Sequence, residues 1–440
     1  TEAFKTWKHT SKIERANYLL AIADAIDAHL EHFAQVETHD NGKPIRETRG
    51  LDIPFASDHF RYFAGVLRAE EGSATMLDDN TMALIVHDPI GVVGQVVPWN
   101  FPFLMAAWKL APALASGCTV VIKPSSHTSL SLLELGDVLK NILPPGVVNI
   151  ITGKGSQSGQ FILDHPGFSK LAFTGSTEVG LDVYKAASQR LIPATLELGG
   201  KSANIFFEDA NWEQALDGAM LGILFNQGQV CCAGSRIFVQ DTIYDKFVAE
   251  LSTLFNNVKV GLPWNDDTQL GSASYEGQVR KVLEYVEIAK QEGATIAAGG
   301  VRVTEDGLDK GCFVRPTLIT NVTNDMRVAR EEIFGPVAVI IKFHSEEEVI
   351  EMANDSQYGL GGGVFTQNIN RAIRVARAVE TGRMWVNTYN SIPAGAPFGG
   401  VKQSGIGRET HKVMLEHYTQ MKSIIINLND QPSGLYDLDR

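Results

Sequence analysis

The sequence has few cysteines, an excess of acidic over basic residues, and no long apolar run. Four cysteines in 440 residues are too few for a disulfide-stapled fold, and none has the spacing of a zinc site. We therefore expect free thiols, no metal, and a reducing compartment such as the cytoplasm. Acidic residues outnumber basic ones by 51 to 38, and this balance disfavours nucleic acid as a partner.

A membrane span is also not expected. The longest uncharged stretch, residues 91–108, is interrupted by Pro98, Asn100 and Pro102. The hydrophobic share of 44% and the charged share of 20% are typical of a globular protein. The length predicts two to four domains. Because the first residue is Thr rather than Met, the start of the chain gives no information about a targeting segment.

The order of apolar segments predicts an α/β protein. One helical stretch begins at Lys12, with Ser11 as N-cap and Glu14 in the capping-box position, and another covers residues 51–69. Five short β-rich segments then alternate with segments of helix length. This alternation predicts parallel sheets with helices on both faces. The β-rich segments are Gly91–Val97, Thr119–Ile122, Val147–Ile151, Lys170–Phe173 and Ala203–Phe207.

A thiol in the loop 225–236 is the first candidate for chemistry. Cys231 and Cys232 lie between the end of a predicted helix and the start of a predicted strand, where functional residues are common. The alternative is a pair of buried, inert cysteines. A nucleophilic thiol would need activation, because a free thiol is mostly protonated at neutral pH.

Glu197 and Asn100 are the candidates for that chemistry. Glu197 ends a short apolar strand between two leucines, so burial should raise its pKa toward that of a general base. Asn100 lies in a proline-flanked turn, where its amide could stabilise an oxyanion. The alternatives are a solvated glutamate at the strand end and an asparagine that caps the helix beginning near Phe103.

A nucleotide cleft is predicted at the ends of two strands. The segment 173–180 reads as strand, glycine turn and helix, so the helix N-terminus at Ser176 could receive a pyrophosphate. Lys123 ends another strand of the same sheet. A thiol, a base, an amide donor and a nucleotide cleft together suit the oxidation of an aldehyde through a covalent thioester.

Five motifs in order make the whole chain resemble the NAD(P)-dependent aldehyde dehydrogenases. They are PWNFP at 98–102, LELGGK at 196–201, FNQGQVCCAGSR at 225–236, EEIFGPV at 331–337 and PFGGVKQSG at 397–405. The resemblance implies two doubly wound Rossmann-type domains plus a β-hairpin oligomerisation element. Residues 1–70 and 89–197 would form the cofactor-binding domain, with a helix near 406–417 returning to it. Residues 198–405 would form the catalytic domain.

The resemblance also implies roles for individual residues. Cys231 would be the nucleophile, Glu197 would activate the hydrolytic water, and Asn100 with the Cys231 N–H would hold the oxyanion. Cys232 would have no required role. The cofactor, NAD or NADP, would be bound by Lys123 at the adenosine ribose, Ser176 at the pyrophosphate and Glu332 at the nicotinamide ribose, with Phe334, Trp99, Gly175 and Ser126 nearby.

The flanking segments would build an oligomer. Residues 71–88 and 418–440 would form the oligomerisation element, with the tail near 418–428 joining a partner's sheet, so a homodimer or homotetramer is expected. Several dozen residues of the usual family N-terminus precede the point where this chain begins. Ser126 stands where NAD-preferring members often carry Glu, which leaves the choice of NAD or NADP open. Alternatively, Ser126 only caps the next helix.

An apolar pocket is expected for small or medium aldehydes. The sequence shows no added Arg that could bind the carboxylate of a semialdehyde, which disfavours that substrate. Ile392 stands where an aromatic residue of a cage for betaine aldehyde would be expected, which disfavours betaine aldehyde. Glu197 disfavours a CoA-acylating relative, because it favours hydrolysis of the thioester. The lack of a His near Cys231 disfavours a thiol esterase. The intact motifs disfavour a non-catalytic protein on the same fold. The expected lining is Phe55, Phe101, Trp108, Phe225, Val230, Ile392 and Phe398.

Overall fold

The computed structural model describes residues 1–436 and has two large, mainly parallel sheets with helices around them. This confirms the α/β prediction. The N-terminal region is helical, and the predicted N-cap at Ser11 is present with its reciprocal bonds to Glu14. The helices are α1 (Glu2–Trp7), α2 (Lys12–Ala28), α3 (Leu30–Asn41), α4 (Ile45–Glu47) and α5 (Ile53–Ala69).

A hairpin follows and leads into the first large sheet. Five parallel strands have the order β5-β4-β3-β6-β7, so the chain reverses direction across the sheet between β3 and β6. Ligands bind at such a reversal, beyond the C-terminal ends of the strands. The elements are β1 (Ser73–Asp78), β2 (Thr81–Pro89), β3 (Val92–Val96), α6 (Pro102–Ala115), β4 (Thr119–Lys123), α7 (Leu130–Leu139), β5 (Val148–Ile150), α8 (Gln160–Asp164), β6 (Lys170–Thr174), α9 (Thr177–Gln189) and β7 (Ala194–Glu197).

The second large sheet has seven strands in the order β10-β11-β12-β9-β8-β14-β15, and only β10 runs antiparallel to its neighbour. A bridge of two short strands, β13 and β16, lies beside it. The elements are β8 (Ala203–Phe206), α10 (Trp212–Leu224), β9 (Arg236–Gln240), α11 (Tyr244–Asn257), α12 (Glu276–Gln291), β10 (Thr295–Ala298), β11 (Thr317–Thr320), α13 (Arg327–Arg330), β12 (Val337–Phe343), α14 (Glu346–Asn354), β13 (Tyr358–Gly359), β14 (Gly361–Phe365), α15 (Ile369–Ala378), β15 (Arg383–Val386) and β16 (Val401–Lys402).

The C-terminal region corrects one expectation. The helix expected near 406–417 covers only α16 (Met414–His417), and β17 (Gly405–Ile406) instead pairs with β7. Positive φ angles of 140° at Gly405, 94° at Gly407 and 66° at Thr410 prevent an earlier helix. The tail strand β18 (Thr419–Asn427) pairs along its full length with β2 of the same chain and forms an edge of the three-stranded sheet β1-β2-β18, so its pairing with a partner's sheet stays a prediction.

The N-terminal part also differs in detail. The helical stretch that begins at Lys12 is divided at His29 into α2 and α3, since His29 has φ −114° and ψ 19°. Nothing in the structure tests the predicted domain boundaries, which stay predictions, and residues 437–440 of the expected oligomerisation element lie outside the described residues. Within residues 1–436, no helix is both long enough and apolar enough to cross a membrane.

Candidate active site

One cavity of about 500 Å³ brings most of the candidate residues together. It lies where the loops after β3, β6 and β7 meet the loops that precede β9 and β12. The reversal of strand order therefore faces the cysteine-bearing loop of the second sheet. The predicted residues in its lining are Cys231, Glu197, Asn100, Trp99, Gly175, Ser176, Glu332, Phe334, Phe55, Phe101, Trp108, Phe225, Val230, Ile392 and Phe398.

The cysteine loop is held in an unusual backbone conformation. Asn226 and Gln227, just after α10, have φ angles of 48° and 56°, in the left-handed region that side chains disfavour. Cys231 follows half-buried in the cavity wall, whereas Cys232 is fully buried. A Cβ at Gly200 would lie 2.4 Å from the Cys231 carbonyl oxygen, so only glycine permits this approach.

The Cys231 thiol is protonated in this setting. The adjacent Cys232 thiol, burial and the Glu197 charge all raise the pKa of Cys231. A nucleophilic thiolate therefore requires that a base take the proton. Glu197 is the carboxylate beside it.

Glu197 ends β7 and is 2% exposed. Neither carboxylate oxygen has a hydrogen-bond partner. Burial raises the pKa of Glu197 to about 8, and the neighbouring Cys231 thiol and Lys109 offset only part of that rise. The expected upward shift is confirmed, and the alternative of a solvated glutamate is wrong.

Asn100 is buried in the loop between β3 and α6. Its Nδ2 donates to the Gln229 carbonyl at 2.8 Å, and its own carbonyl accepts from Asn226 Nδ2 at 2.7 Å. The helix begins at Pro102 with Phe101 in the N-cap position, so the alternative of a helix-capping asparagine is wrong. One amide hydrogen of Asn100 is left for a ligand in the cavity.

Glu332 lies at the other end of the cavity. Gly200 N–H donates to its Oε1 at 3.0 Å, and a Cβ at Gly199 would lie 2.6 Å from its Oε2. Burial raises the pKa of Glu332, while the Gly200 hydrogen bond and the charge of Lys281 lower it. The carboxylate is thus fixed in place by backbone and charge.

Aromatic rings form the wall beside Glu332. The rings of Trp99 and Phe334 meet edge to face, with centroids 5.2 Å apart, and Tyr275 packs against Trp99 in the same manner. Gln278 Nε2 donates to the Phe334 carbonyl at 2.6 Å and so supports the left-handed backbone at Phe334.

Sequence reasoning missed Tyr275, Gln278 and Lys281, which also line the cavity. The available signal was the spacing of Gln278 and Lys281, which lie three residues apart on α12 and so share one face. The stretch carries no recognisable motif, so nothing marked that face as part of the site.

The predicted nucleotide residues of the first large sheet lie in different surroundings. Ser176 is the N-cap of α9, and its side chain accepts from Val179 N–H at 3.4 Å, at the reversal point next to β3. Lys123 and Ser126 lie outside the cavity lining. Lys123 is buried and donates to the Pro124 carbonyl at 2.9 Å. Ser129, not Ser126, occupies the N-cap of α7, so that alternative for Ser126 is wrong.

The remaining part of the cavity is apolar. Phe101 packs against Phe225, and Trp108 packs against Phe398, with ring centroids 5.7 Å and 5.4 Å apart. Within residues 1–436, Lys281 is the one cationic side chain in the lining, and its charge acts on Glu332 at the opposite end. Sequence analysis also missed several residues of the lining, namely Leu51, Asp52, Leu104, Met105, Leu221 and the segment 388–391.

A comparison with protein-family models identifies the family of the chain. The model described as "Aldehyde dehydrogenase family" matches residues 1–424. The chain belongs to the aldehyde dehydrogenase family. It is therefore an NAD(P)-dependent oxidoreductase, and the resemblance seen in the five motifs is confirmed.

Curated and solved relatives agree with this assignment. Aldehyde dehydrogenase B of Escherichia coli (strain K12) is 49% identical over 437 residues, or 98% of this chain and 85% of that protein. The structure of a putative aldehyde dehydrogenase from Burkholderia cenocepacia has a TM-score of 0.97 at 40% identity, covering 99% of this chain and 90% of the other.

Two further solved structures contain NAD+. The complex of aldehyde dehydrogenase from Bacillus cereus has a TM-score of 0.94 at 45% identity, covering 96% of this chain and 86% of the other. The complex of betaine aldehyde dehydrogenase from Staphylococcus aureus has a TM-score of 0.96 at 41% identity, covering 99% and 87%.

The residues of this aldehyde dehydrogenase fit a nicotinamide dinucleotide. The α9 N-terminus lies at the reversal of strand order, where its N–H groups can receive a pyrophosphate. The fixed carboxylate of Glu332 is an acceptor for ribose hydroxyls. Trp99 and Phe334 supply flat apolar walls for an aromatic ring. This donor set agrees with NAD or NADP as the cofactor.

Proposed function

We propose that this enzyme oxidises small or medium apolar aldehydes to carboxylic acids with NAD or NADP, through a covalent intermediate on Cys231. The observation that carries the proposal is the common cavity, in which Cys231, Glu197 and Asn100 lie opposite an apolar wall and next to the cofactor-type residues. Each of these residues does a separate part of the reaction.

Cys231 begins the reaction. Glu197 accepts the thiol proton, and the thiolate attacks the aldehyde carbon to give a thiohemiacetal. The negative charge that forms on the former carbonyl oxygen is stabilised by the free amide hydrogen of Asn100 and by the Cys231 N–H. The fixed position of Asn100 favours this role, because its other amide hydrogen is committed to Gln229.

The cofactor would supply the hydride acceptor, and Glu332, Trp99 and Phe334 would hold it. As the thiohemiacetal oxyanion reforms a carbonyl and loses hydride from carbon, the Cys231 sulfur is left in a thioester. Glu197 releases the thiol proton to solvent and then accepts a proton from water, and the hydroxide attacks the thioester carbon. The carboxylic acid leaves, and Cys231 takes up a proton to become a thiol again.

The substrate class follows from the lining. Apolar side chains surround the space near Cys231, and among residues 1–436 no cation there could pair with a second carboxylate of a semialdehyde. Ile392 rather than an aromatic residue faces the site, which disfavours a quaternary ammonium substrate. The relative from Staphylococcus aureus acts on betaine aldehyde, and Ile392 is our reason not to transfer that substrate.

The choice between NAD and NADP, the roles of Lys123 and Ser126, and the oligomeric state are further proposals. Ser126 is exposed and uncharged, so it would not repel a 2′-phosphate. The three-stranded sheet β1-β2-β18 leaves exposed apolar side chains, including Met76, Met421 and Ile425, which favour a homodimer or homotetramer. Four free cysteines support the expectation of the cytoplasm.

Reduction of the cofactor tests the proposal directly. Purified enzyme should produce reduced nicotinamide from propanal with NAD or NADP, and a Cys231→Ala variant should retain no measurable rate. The rate should not depend on added CoA, because Glu197 directs the thioester to water. A CoA-dependent rate would assign the acylating reaction instead. Activity confined to carboxylated or cationic aldehydes would overturn the apolar substrate class.

A further inference from the structure

A buried cluster of four charged residues adjoins the cavity, which one of them, Asp52, lines, and the reaction described above does not use it. Glu37, Lys43, Glu47 and Asp52 are each at most 6% exposed. Lys43 forms an ion pair with Asp52, and its Nζ lies 3.8 Å from the centre of the Phe101 ring. Three carboxylates thus surround one ammonium group, directly behind a residue of the substrate wall.

Glu47 reaches from this cluster to the cysteine loop. Its Oε2 accepts a hydrogen bond of 2.9 Å from the backbone N–H of Asn226. Asn226 and Gln227 are the two non-glycine residues of the cysteine loop with left-handed backbone, a conformation that persists only where surrounding contacts enforce it. The Glu47 carboxylate is the side-chain acceptor for this buried N–H group.

Asn226 in turn is bonded to the oxyanion residue. Its Nδ2 donates to the Asn100 carbonyl at 2.7 Å and to the Gln229 carbonyl at 3.1 Å. Asn100 Nδ2 donates to the same Gln229 carbonyl at 2.8 Å. The orientation of the Asn100 amide is therefore set by the turn that Glu47 holds.

The opposite side of the Asn100 loop is held independently. Asn41 Nδ2 donates to the Trp99 carbonyl at 2.6 Å and to the Asn100 carbonyl at 3.4 Å. Loss of the Glu47 contact would thus leave the loop in place. What would change is the direction of the Asn100 side chain, which depends on the Gln229 carbonyl.

We propose that Glu47 is a positioning residue, which acts through the turn at Asn226 to aim the Asn100 amide at the developing oxyanion. This inference rests on the proposed function. It predicts a loss confined to steps that form an oxyanion. Alkylation of the Cys231 thiol by iodoacetamide forms no oxyanion and so should be unaffected.

The test compares Glu47→Leu with Glu47→Gln. The leucine variant removes the acceptor of the Asn226 N–H, so we expect kcat with propanal to fall about tenfold or more, short of the full loss of an oxyanion donor. The glutamine variant keeps an acceptor oxygen and should stay within about threefold of the wild type. Cofactor binding and the iodoacetamide rate of Cys231 should be unchanged in both.

Glu37→Leu is the matched control. Glu37 is equally buried in the same cluster, but its Oε1 accepts from the Phe103 N–H at 3.4 Å and does not contact the turn. The control should lose thermal stability as Glu47→Leu does and keep kcat within about twofold. Equal kcat in Glu47→Leu and Glu37→Leu would overturn the proposal, as would a parallel loss of the alkylation rate.

A second variant covers the case in which Glu47→Leu does not fold. Asn226→Asp keeps the side-chain shape but replaces the donor that holds the Asn100 and Gln229 carbonyls. It should lower kcat by about tenfold at a wild-type alkylation rate, and wild-type kcat would contradict the proposal. An inactive wild-type enzyme would instead contradict the proposed function, so the two failures are distinguishable.

Discussion

Two buried carboxylates line the same cavity, and the structure holds them in different ways. Neither oxygen of Glu197 has a hydrogen-bond partner, and burial raises its pKa to about 8. Glu332 accepts a hydrogen bond from Gly200 N–H, and nearby Lys281 and Lys201 further favour its ionised form. Glu197 is thus buried without a hydrogen-bond partner, whereas Glu332 is buried with a backbone donor and two lysines nearby.

This difference in hydrogen bonding suits two different chemical roles. A carboxylate without partners can accept a proton near neutral pH and can move toward it, which suits a base. A carboxylate held by a backbone N–H keeps its position, which suits a ligand for ribose hydroxyls, and the charges of Lys281 and Lys201 offset part of the rise in pKa that burial causes at Glu332. Changes at the two carboxylates should therefore alter different kinetic constants.

The largest effect is expected for Glu197→Gln. The amide keeps the shape of the side chain but cannot accept a proton, so kcat should fall by about 10²–10⁴-fold. Because Glu197 also takes the thiol proton before the aldehyde is attacked, the variant should form the thioester slowly as well. Rapid mixing with propanal and NAD is then expected to show slow formation of reduced cofactor without an initial burst. Unchanged turnover would remove Glu197 from the role of base.

The pH dependence of thioester hydrolysis gives the next largest effect. Since burial raises the pKa of Glu197 to about 8, the base is mostly protonated below that pH and available above it. Hydrolysis of acylated Cys231 should therefore rise about tenfold per pH unit up to this region and then level off. The rate can be followed after acylation with a chromogenic ester.

Glu197→Gln provides the control for the pH profile. Its residual hydrolysis should lack the rise that the wild type shows on approaching the pKa of Glu197. A profile shared by both proteins would assign the rise to hydroxide or to another group. In that case the contrast between the two carboxylates would not concern proton transfer.

Glu332→Gln should have a smaller effect of a different kind. The amide oxygen can still accept from Gly200 N–H, but the negative charge that we propose binds the ribose hydroxyls is lost. We expect the KM for NAD to rise about tenfold, with little change in thioester hydrolysis. Steady-state kinetics at varied NAD, together with the chromogenic-ester assay, separates these two readouts. A hydrolysis defect as large as that of Glu197→Gln would show that Glu332 and Glu197 do not have separate roles.

Much of this site could be predicted from local sequence. The leucines on either side of Glu197 predicted its burial, and that prediction is confirmed because strand β7 is covered on both faces. The raised pKa follows from burial alone. Where a property depends on the residues immediately adjacent in the chain, the sequence was a sufficient guide.

Contacts between distant parts of the chain could not be predicted. Glu47 and Asn226 are 179 residues apart, and no local pattern links them. The helix expected near 406–417 failed for a related reason. Apolar spacing did not reveal that Gly405 and Gly407 adopt positive φ angles, with Gly405 lying against the backbone of Leu196 at a distance that admits no side chain.

The smallest effect, expected for Gly199→Ala, sharpens the comparison between the two ends. The added Cβ would lie 2.6 Å from Glu332 Oε2, so the flexible Glu332 side chain must shift while the backbone stays in place. We expect the KM for NAD to rise by about threefold, with an unchanged rate of Cys231 alkylation. The neighbouring Gly200→Ala is the contrasting variant, because its Cβ would lie 2.4 Å from the Cys231 carbonyl oxygen and should disturb the thiol as well. Equal responses of the two variants in both assays would show that the nucleophile and the cofactor carboxylate move together rather than as separately held groups.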